Sequence, residues 1–283
     1  MQWKGRRQSG NIEDRRGVTA RGATIGGGLG GLVLIVIVLL MGGNPEEVMQ
    51  GLEAPPMAGQ ENARPLSSQE RELGEFVGVI LADTEDVWNE LFRRDGLQYR
   101  EPGLVMFSGA THSACGYAQS ATGPFYCPAD EKVYIDLEFF QEMLQRLGAG
   151  GDFALAYVIA HEVGHHVQHQ LGIMEEVQAT MARTNQREAN RLMVRLELQA
   201  DFLAGVWAHH AQRMKGSLEA GDIEEGMNAA SAVGDDRIMK QQQGYVVPDA
   251  FTHGTSEQRV RWFTLGYRTG NLSRGDTFAV SQP

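Results

Sequence analysis

The chain has 283 residues, 42% of them hydrophobic and 22% charged, which excludes a peptide-sized or pervasively disordered product and allows one large or two small domains. Lys plus Arg number 25 against 36 Asp plus Glu, a net charge of -11 that excludes a molecule bound to nucleic acid by phosphate neutralisation. Charge is uneven: residues 1–21 hold Lys4, Arg6, Arg7, Arg15, Arg16 and Arg21 against Glu13 and Asp14, a net of +4 that leaves -15 for the rest.

No residue from 22 to 45 is charged, and 25–41 reads IGGGLGGLVLIVIVLLM, close to the length that spans a bilayer core. The basic leader and the acidic pair Glu46 and Glu47 orient such a span with residues 1–21 in the cytoplasm and the remainder outside. A cleaved signal peptide is the rival, but the run is long for one and no small-residue cleavage site follows. The expected organisation is a cytoplasmic basic segment at 1–21, a transmembrane helix at 22–43, a proline-containing linker at 44–66 and a folded domain at 67–283. The expected location is a cell membrane crossed once, with the domain on its periplasmic or external side.

Ser67-Ser68-Gln69-Glu70 has the form of a capping box, followed by Leu73, Phe76, Val77, Ile80 and Leu81 at helical spacing, and a second helical stretch runs from Thr84 to Arg94. Leu104 to Phe107 and Lys132 to Leu137 are β-prone, and between them lie the only cysteines, Cys115 and Cys127. A loop-closing disulfide is feasible on an oxidising side, two buried thiols being the alternative. Beyond Glu138 the pattern is helical: one helix from an Asp152 N-cap to a stop at Gly172, a long pattern over 174–215 broken once, then helices near 223–243 and 256–269. The fold class is α+β, mostly helical with a small sheet.

His161-Glu162-Val163-Gly164-His165 lies in the first of these helices, where imidazoles at i and i+4 share one face and can reach one ion. Glu162 sits where a general base for a metal-activated water belongs. The eight residues before it are nearly all apolar, which marks a buried helix rather than a surface histidine pair. A catalytic zinc needs a third ligand and an open position. Gln168 and Leu171 exclude the metzincin spacing, and His169 lies about 12 Å along the helix from His161, too far to share the ion, which leaves it and His166 as bystanders. Among the Glu residues after His165 one alone has Asp four positions on: Glu197 with Asp201, flanked by Leu196, Leu198, Phe202 and Leu203. Glu197 is the expected ligand, and Asp201 the group that hydrogen-bonds His161 and fixes its tautomer.

With H-E-x-x-H and E-x-x-x-D the chain resembles gluzincin metallopeptidases. It resembles more closely the bacterial neutral zinc metallopeptidases, on Gly5-Arg6-Arg7-Gln8-Ser9, Glu13-Asp14-Arg15-Arg16-Gly17, Phe107-Ser108-Gly109, Gly123-Pro124-Phe125-Tyr126-Cys127-Pro128 and HEVGHHVQ at 161–168. The resemblance implies a membrane-anchored peptidase with Zn2+ held by His161, His165 and Glu197, and a protein or peptide substrate. His253, in a segment that resembles a His-containing turn before the last helix of some gluzincins, is a candidate to stabilise the oxyanion, as is Tyr245. An open edge at Leu104 to Phe107 is a candidate seat for extended substrate. The alternative is a zinc-dependent interaction module at the membrane that does not cut. The oligomeric state is not legible in the sequence.

Overall fold

The structure, a computed structural model, describes residues 1–16, 65–119, 122–138, 140 and 148–283. Among these no helix is long and apolar enough to cross a membrane; the span expected at 22–43 and nearly all of the linker lie outside the described residues.

The first element, β1 (Ile12–Asp14), comes from the basic leader, and α1 (Ser68–Arg94) follows. Ser67 caps α1 in the expected box with Glu70, but the helix runs unbroken through Asp83-Thr84-Glu85, where the sequence suggests two stretches. All three of these polar residues are buried. Next come β2 (Gly103–Phe107), the hairpin β3 (Ala110–Ser113) and β4 (Gly116–Gln119), β5 (Phe125–Cys127) and β6 (Lys132–Asp136). The main sheet has the order β1-β2-β6-β5, with β1, β2 and β6 parallel and β5 antiparallel to β6. Cys115 and Cys127 are bonded, tying the hairpin turn to the end of β5.

Because β1 pairs with β2 in the register Ile12↔Leu104 to Asp14↔Met106, and β6 takes its other side, β2 has no open edge. The expected substrate seat there is filled by the chain's own leader. Nor do residues 1–16 stand apart as a separate segment: Met1, Trp3 and Ile12 pack against the main core, and Trp3 meets Phe76 edge-on at 5.4 Å.

The helical part comprises α2 (Asp152–Gln170), α3 (Ile173–Met181), α4 (Gln186–Lys215), α5 (Asp222–Ala232), α6 (Asp235–Gln243) and α7 (Ser256–Thr269). Asp152 is the first residue of α2 rather than its cap, which is Gly151, and its carboxylate accepts from the Met1 amine at 3.0 Å. Gly172, at φ 75°, separates α2 from α3 as its left-handed preference suggests. α2 is central: β5 and β6 lie against it on one side, α4 and α5 on others. Phe153, Tyr157, Phe202, Trp207 and Phe263 fill the core between α2, α4 and α7. Burying such aromatics contributes roughly 1.5–3 kcal/mol each and fixes the helices that carry the site.

Candidate metal centre

The two helices that matter cross at a point where the sequence has no side chain. A Cβ at Gly164, between the two histidines of α2, would stand 3.1 Å from the Ala200 carbonyl oxygen and 3.3 Å from its Cα on α4. Backbone thus meets backbone beside the histidines, and Glu197, one turn before Asp201 on α4, comes level with them.

His161 Nε2 lies 3.2 Å from Glu197 Oε2, and His165 Nε2 lies 3.5 Å from Glu197 Oε1. One donor atom from each of the three residues falls within 4.8 Å of the others. Zinc bonds of about 2.0–2.2 Å at tetrahedral angles put donors roughly 3.3–3.6 Å apart, so the spacing and the two-imidazole, one-carboxylate chemistry both suit that ion.

Each of the two histidines is held from behind. His161 Nδ1–H donates to Asp201 Oδ1 at 2.9 Å, which turns Nε2 toward Glu197. Asp201 also accepts from the Tyr157 hydroxyl and, in a two-pronged contact at 2.8 and 2.9 Å, from Arg259 of α7. Arg259 Nη2 donates to the Tyr157 oxygen as well, at 3.2 Å. His165 Nδ1–H donates to Gln168 Oε1 at 2.9 Å, and the Gln168 amide donates to the Leu196 carbonyl and to Gln199. A fixed tautomer on each histidine leaves Nε2 free to bind metal.

Electrostatics follow from burial among these groups. Burial opposes charge on His161, yet Asp201 and Glu197 outweigh it and raise the imidazolium to about 10. Burial would likewise raise Asp201, but Arg259 and His161 bring it to about 2. Glu197 is held well below the carboxylate range by His165, His253 and His161 against its own desolvation. Glu162 moves the other way, raised by desolvation more than His161 and His165 lower it, and among the described residues its carboxylate has no hydrogen bond to the protein. A carboxyl poised upward and unengaged is what a proton-shuttling group requires. Three acids meet here with one permanent cation, Arg259, and protonated His161 supplies further positive charge that a divalent cation bound at Nε2 would replace.

His253 lies in the loop before α7, in the field of Glu197. Its Nδ1 faces Thr252 Oγ1 at 3.0 Å and Asp235 Oδ1 at 3.4 Å, its side chain is 26% exposed, and Nε2 has no hydrogen bond among the described residues. Buried Asp235 also accepts the backbone N–H groups of Thr252, His253 and Gly254, so it fixes the loop as well as the ring. Tyr245 is 62% exposed, and among the described residues no hydrogen bond joins its side chain to the three ligands. His166 is a core residue: its Nε2–H donates to the Arg100 carbonyl at 2.6 Å, the Tyr126 hydroxyl donates to its Nδ1, and burial lowers it to about 4. His169 pairs with Glu175.

Tyr157, Gln168, Asp235 and Arg259 escape a reading of motifs. Tyr157 stands one turn before His161 and Gln168 three residues after His165, so helical spacing offers a signal for those two. Arg259 and Asp235 come from helices whose placement only the fold supplies.

The chain is 50% identical over 288 residues to "Uncharacterized protein YpfJ" of Escherichia coli K12, covering 99% of this chain and all of that one. It is 44% identical over 193 residues to "Uncharacterized protein Rv2575" of Mycobacterium tuberculosis H37Rv, 65% of this chain and 64% of the relative. No solved structure matches. The family model described as "Putative neutral zinc metallopeptidase" matches residues 1–278, nearly the whole chain, and the protein belongs to that family.

Proposed function

We propose that the protein is a zinc-dependent peptidase that hydrolyses peptide bonds of protein substrates, held at a membrane by the apolar run at 25–41. The observation that carries the reading is the convergence of His161, His165 and Glu197 with an unengaged, upward-shifted Glu162 beside them. Zinc, when bound, supplies Lewis acidity to a carbonyl and makes a water nucleophilic near neutral pH. Glu162 would take a proton from the attacking water and return it to the leaving amine, a double role open to a buried carboxylate with no hydrogen bond to the protein among the described residues. His253 Nε2–H, its ring steadied by Asp235, donates to the oxygen that gains charge in the tetrahedral transition state.

The test uses the purified full-length chain, zinc analysis and an unfolded protein substrate. Glu162→Gln keeps one zinc per chain and loses cleavage; persisting cleavage removes Glu162 from the mechanism. Glu197→Ala lowers zinc content, and unchanged stoichiometry transfers the third ligand elsewhere. His253→Ala lowers kcat by about 10²–10³ with zinc retained, the effect of losing one oxyanion donor.

A further inference from the structure

The basic leader and the domain are built for each other. Glu85 of α1 is 2% exposed, and its carboxylate faces Arg7 at 3.0 Å, Asn11 at 2.9 Å and the Ser9 hydroxyl, all from the leader. Asp83, also buried, takes Arg6 at 2.6 Å beside Lys215 of α4. A buried carboxylate without a cation is strongly unfavourable, so the domain carries acids that the leader neutralises.

Shape repeats the message. Gly74 and Gly78 lie one turn apart on α1, where glycine weakens a helix. A Cβ at Gly74 would stand 2.5 Å from Arg16 Nη2, and one at Gly78 would stand 3.2 Å from Gln8 Cβ. Backbone pairing completes the fit: Leu104 donates to the Asn11 carbonyl and Arg15 to that of Met106, both at 2.8 Å, flanking the β1–β2 ladder. Charge, shape and main-chain bonds thus select one docked position.

Docking of this kind requires both partners in one aqueous compartment, whether the leader comes from the same chain or a second copy. We infer that residues 1–16 and the domain from residue 65 onward occupy the same side of the membrane, so the apolar run between them does not divide the chain between two compartments. This displaces the orientation that the charge bias alone suggests, with the leader inside and the domain outside. It is independent of the zinc chemistry, and the inference stands even if the domain cuts nothing.

The experiment uses the full chain in its own cells. Gly10→Cys in the leader, an exposed position with open space for a Cβ, and Gln242→Cys at the exposed end of α6 are each treated with a membrane-impermeant thiol reagent in sealed spheroplasts and again after permeabilisation, the native chain serving as the blank. Both cysteines reacting in sealed spheroplasts, or both only after permeabilisation, supports one shared side. One reacting before and the other only after overturns it. Separately, the double variant Gln8→Cys with Gly78→Cys forms an intramolecular or intercopy cross-link on mild oxidation. Absence of the cross-link in a chain whose far-UV circular dichroism and melting match the native chain also overturns the inference.

Discussion

The metal centre and the leader interface both bury carboxylates, and they neutralise them in opposite ways. Between α2 and α4, Glu162, Glu197 and Asp201 have one permanent cation, Arg259 on Asp201, and otherwise rely on protonated His161, whose charge a bound ion would replace. Along α1, Asp83 and Glu85 are matched by Arg6, Arg7 and Lys215 from the chain itself. A buried acid therefore marks a cation site only after the chain's own cations have been counted. The cluster of Asp152, Asp222 and Glu225 makes the same point, since its nearest cation is the Met1 amine, 3.0 Å from Asp152 and 3.3 Å from Asp222.

The contrast can be broken most forcefully at Arg259. Arg259→Met strands Asp201 in the core, and losing one member of a buried pair costs about 3–5 kcal/mol, read as a lower denaturation midpoint. The same variant weakens zinc binding, because Asp201 no longer holds His161 in place. Unchanged stability and zinc affinity would mean that the Arg259–Asp201 contact does not support the site. Gln168→Leu is milder: it frees the His165 ring without exposing a charge, and zinc affinity measured by competition with a chelator falls about 10–100-fold.

On the other side of the comparison, Arg7→Ala removes the leader's cation from Glu85 but leaves Ser9 and Asn11, so stability falls by about 1–3 kcal/mol while zinc content holds. Loss of zinc in that variant would show that the two regions are coupled. The smallest effect is a pH dependence. Glu13, through Lys132 and Arg15, and Asp14 and Asp86, whose cation partners outweigh desolvation, all titrate below their ordinary values when the leader is docked. Depressed acids favour docking above the unfolded pKa of about 4 and lose that support as pH falls through the folded values. Protection of the amides in residues 1–16, taken relative to the intrinsic exchange rate at each pH, should therefore fall below about pH 4 and stay flat from pH 6 to 8.

The two regions also differ in how far the sequence exposes them. His161, Glu162 and His165 are visible because ligands four apart must share a helix face, and Glu197 with Asp201 because the same spacing recurs once downstream. Arg259 is not, for nothing local ties it to a helix crossing 58 residues away. The leader interface is hidden more deeply and misdirects the reading. The sequence reads as a new helical stretch from Thr84, yet Asp83 and Glu85 take Arg6 and Arg7, more than 70 positions earlier, and Thr84 donates to the Leu81 carbonyl, so all three are buried in an unbroken helix. The edge of β2 reads as open for the same reason, its covering strand having been assigned to a cationic orientation signal. Charge counted by segment gives the sign of a stretch and not its partner.

The contact at Gly164 bears on how the centre behaves with different ions. Side chains can yield to an ion of the wrong size, but two main chains already touching cannot close further and part only by moving whole helices. The gap among the three donors is in effect a rigid gauge. Cobalt(II), similar in radius to zinc, should substitute and report a tetrahedral visible spectrum, while larger cadmium should load only by prising α2 from α4. A bulkier residue at 164 would reset the gauge itself, so Gly164→Ala should shift the preference toward larger ions before it unfolds the domain.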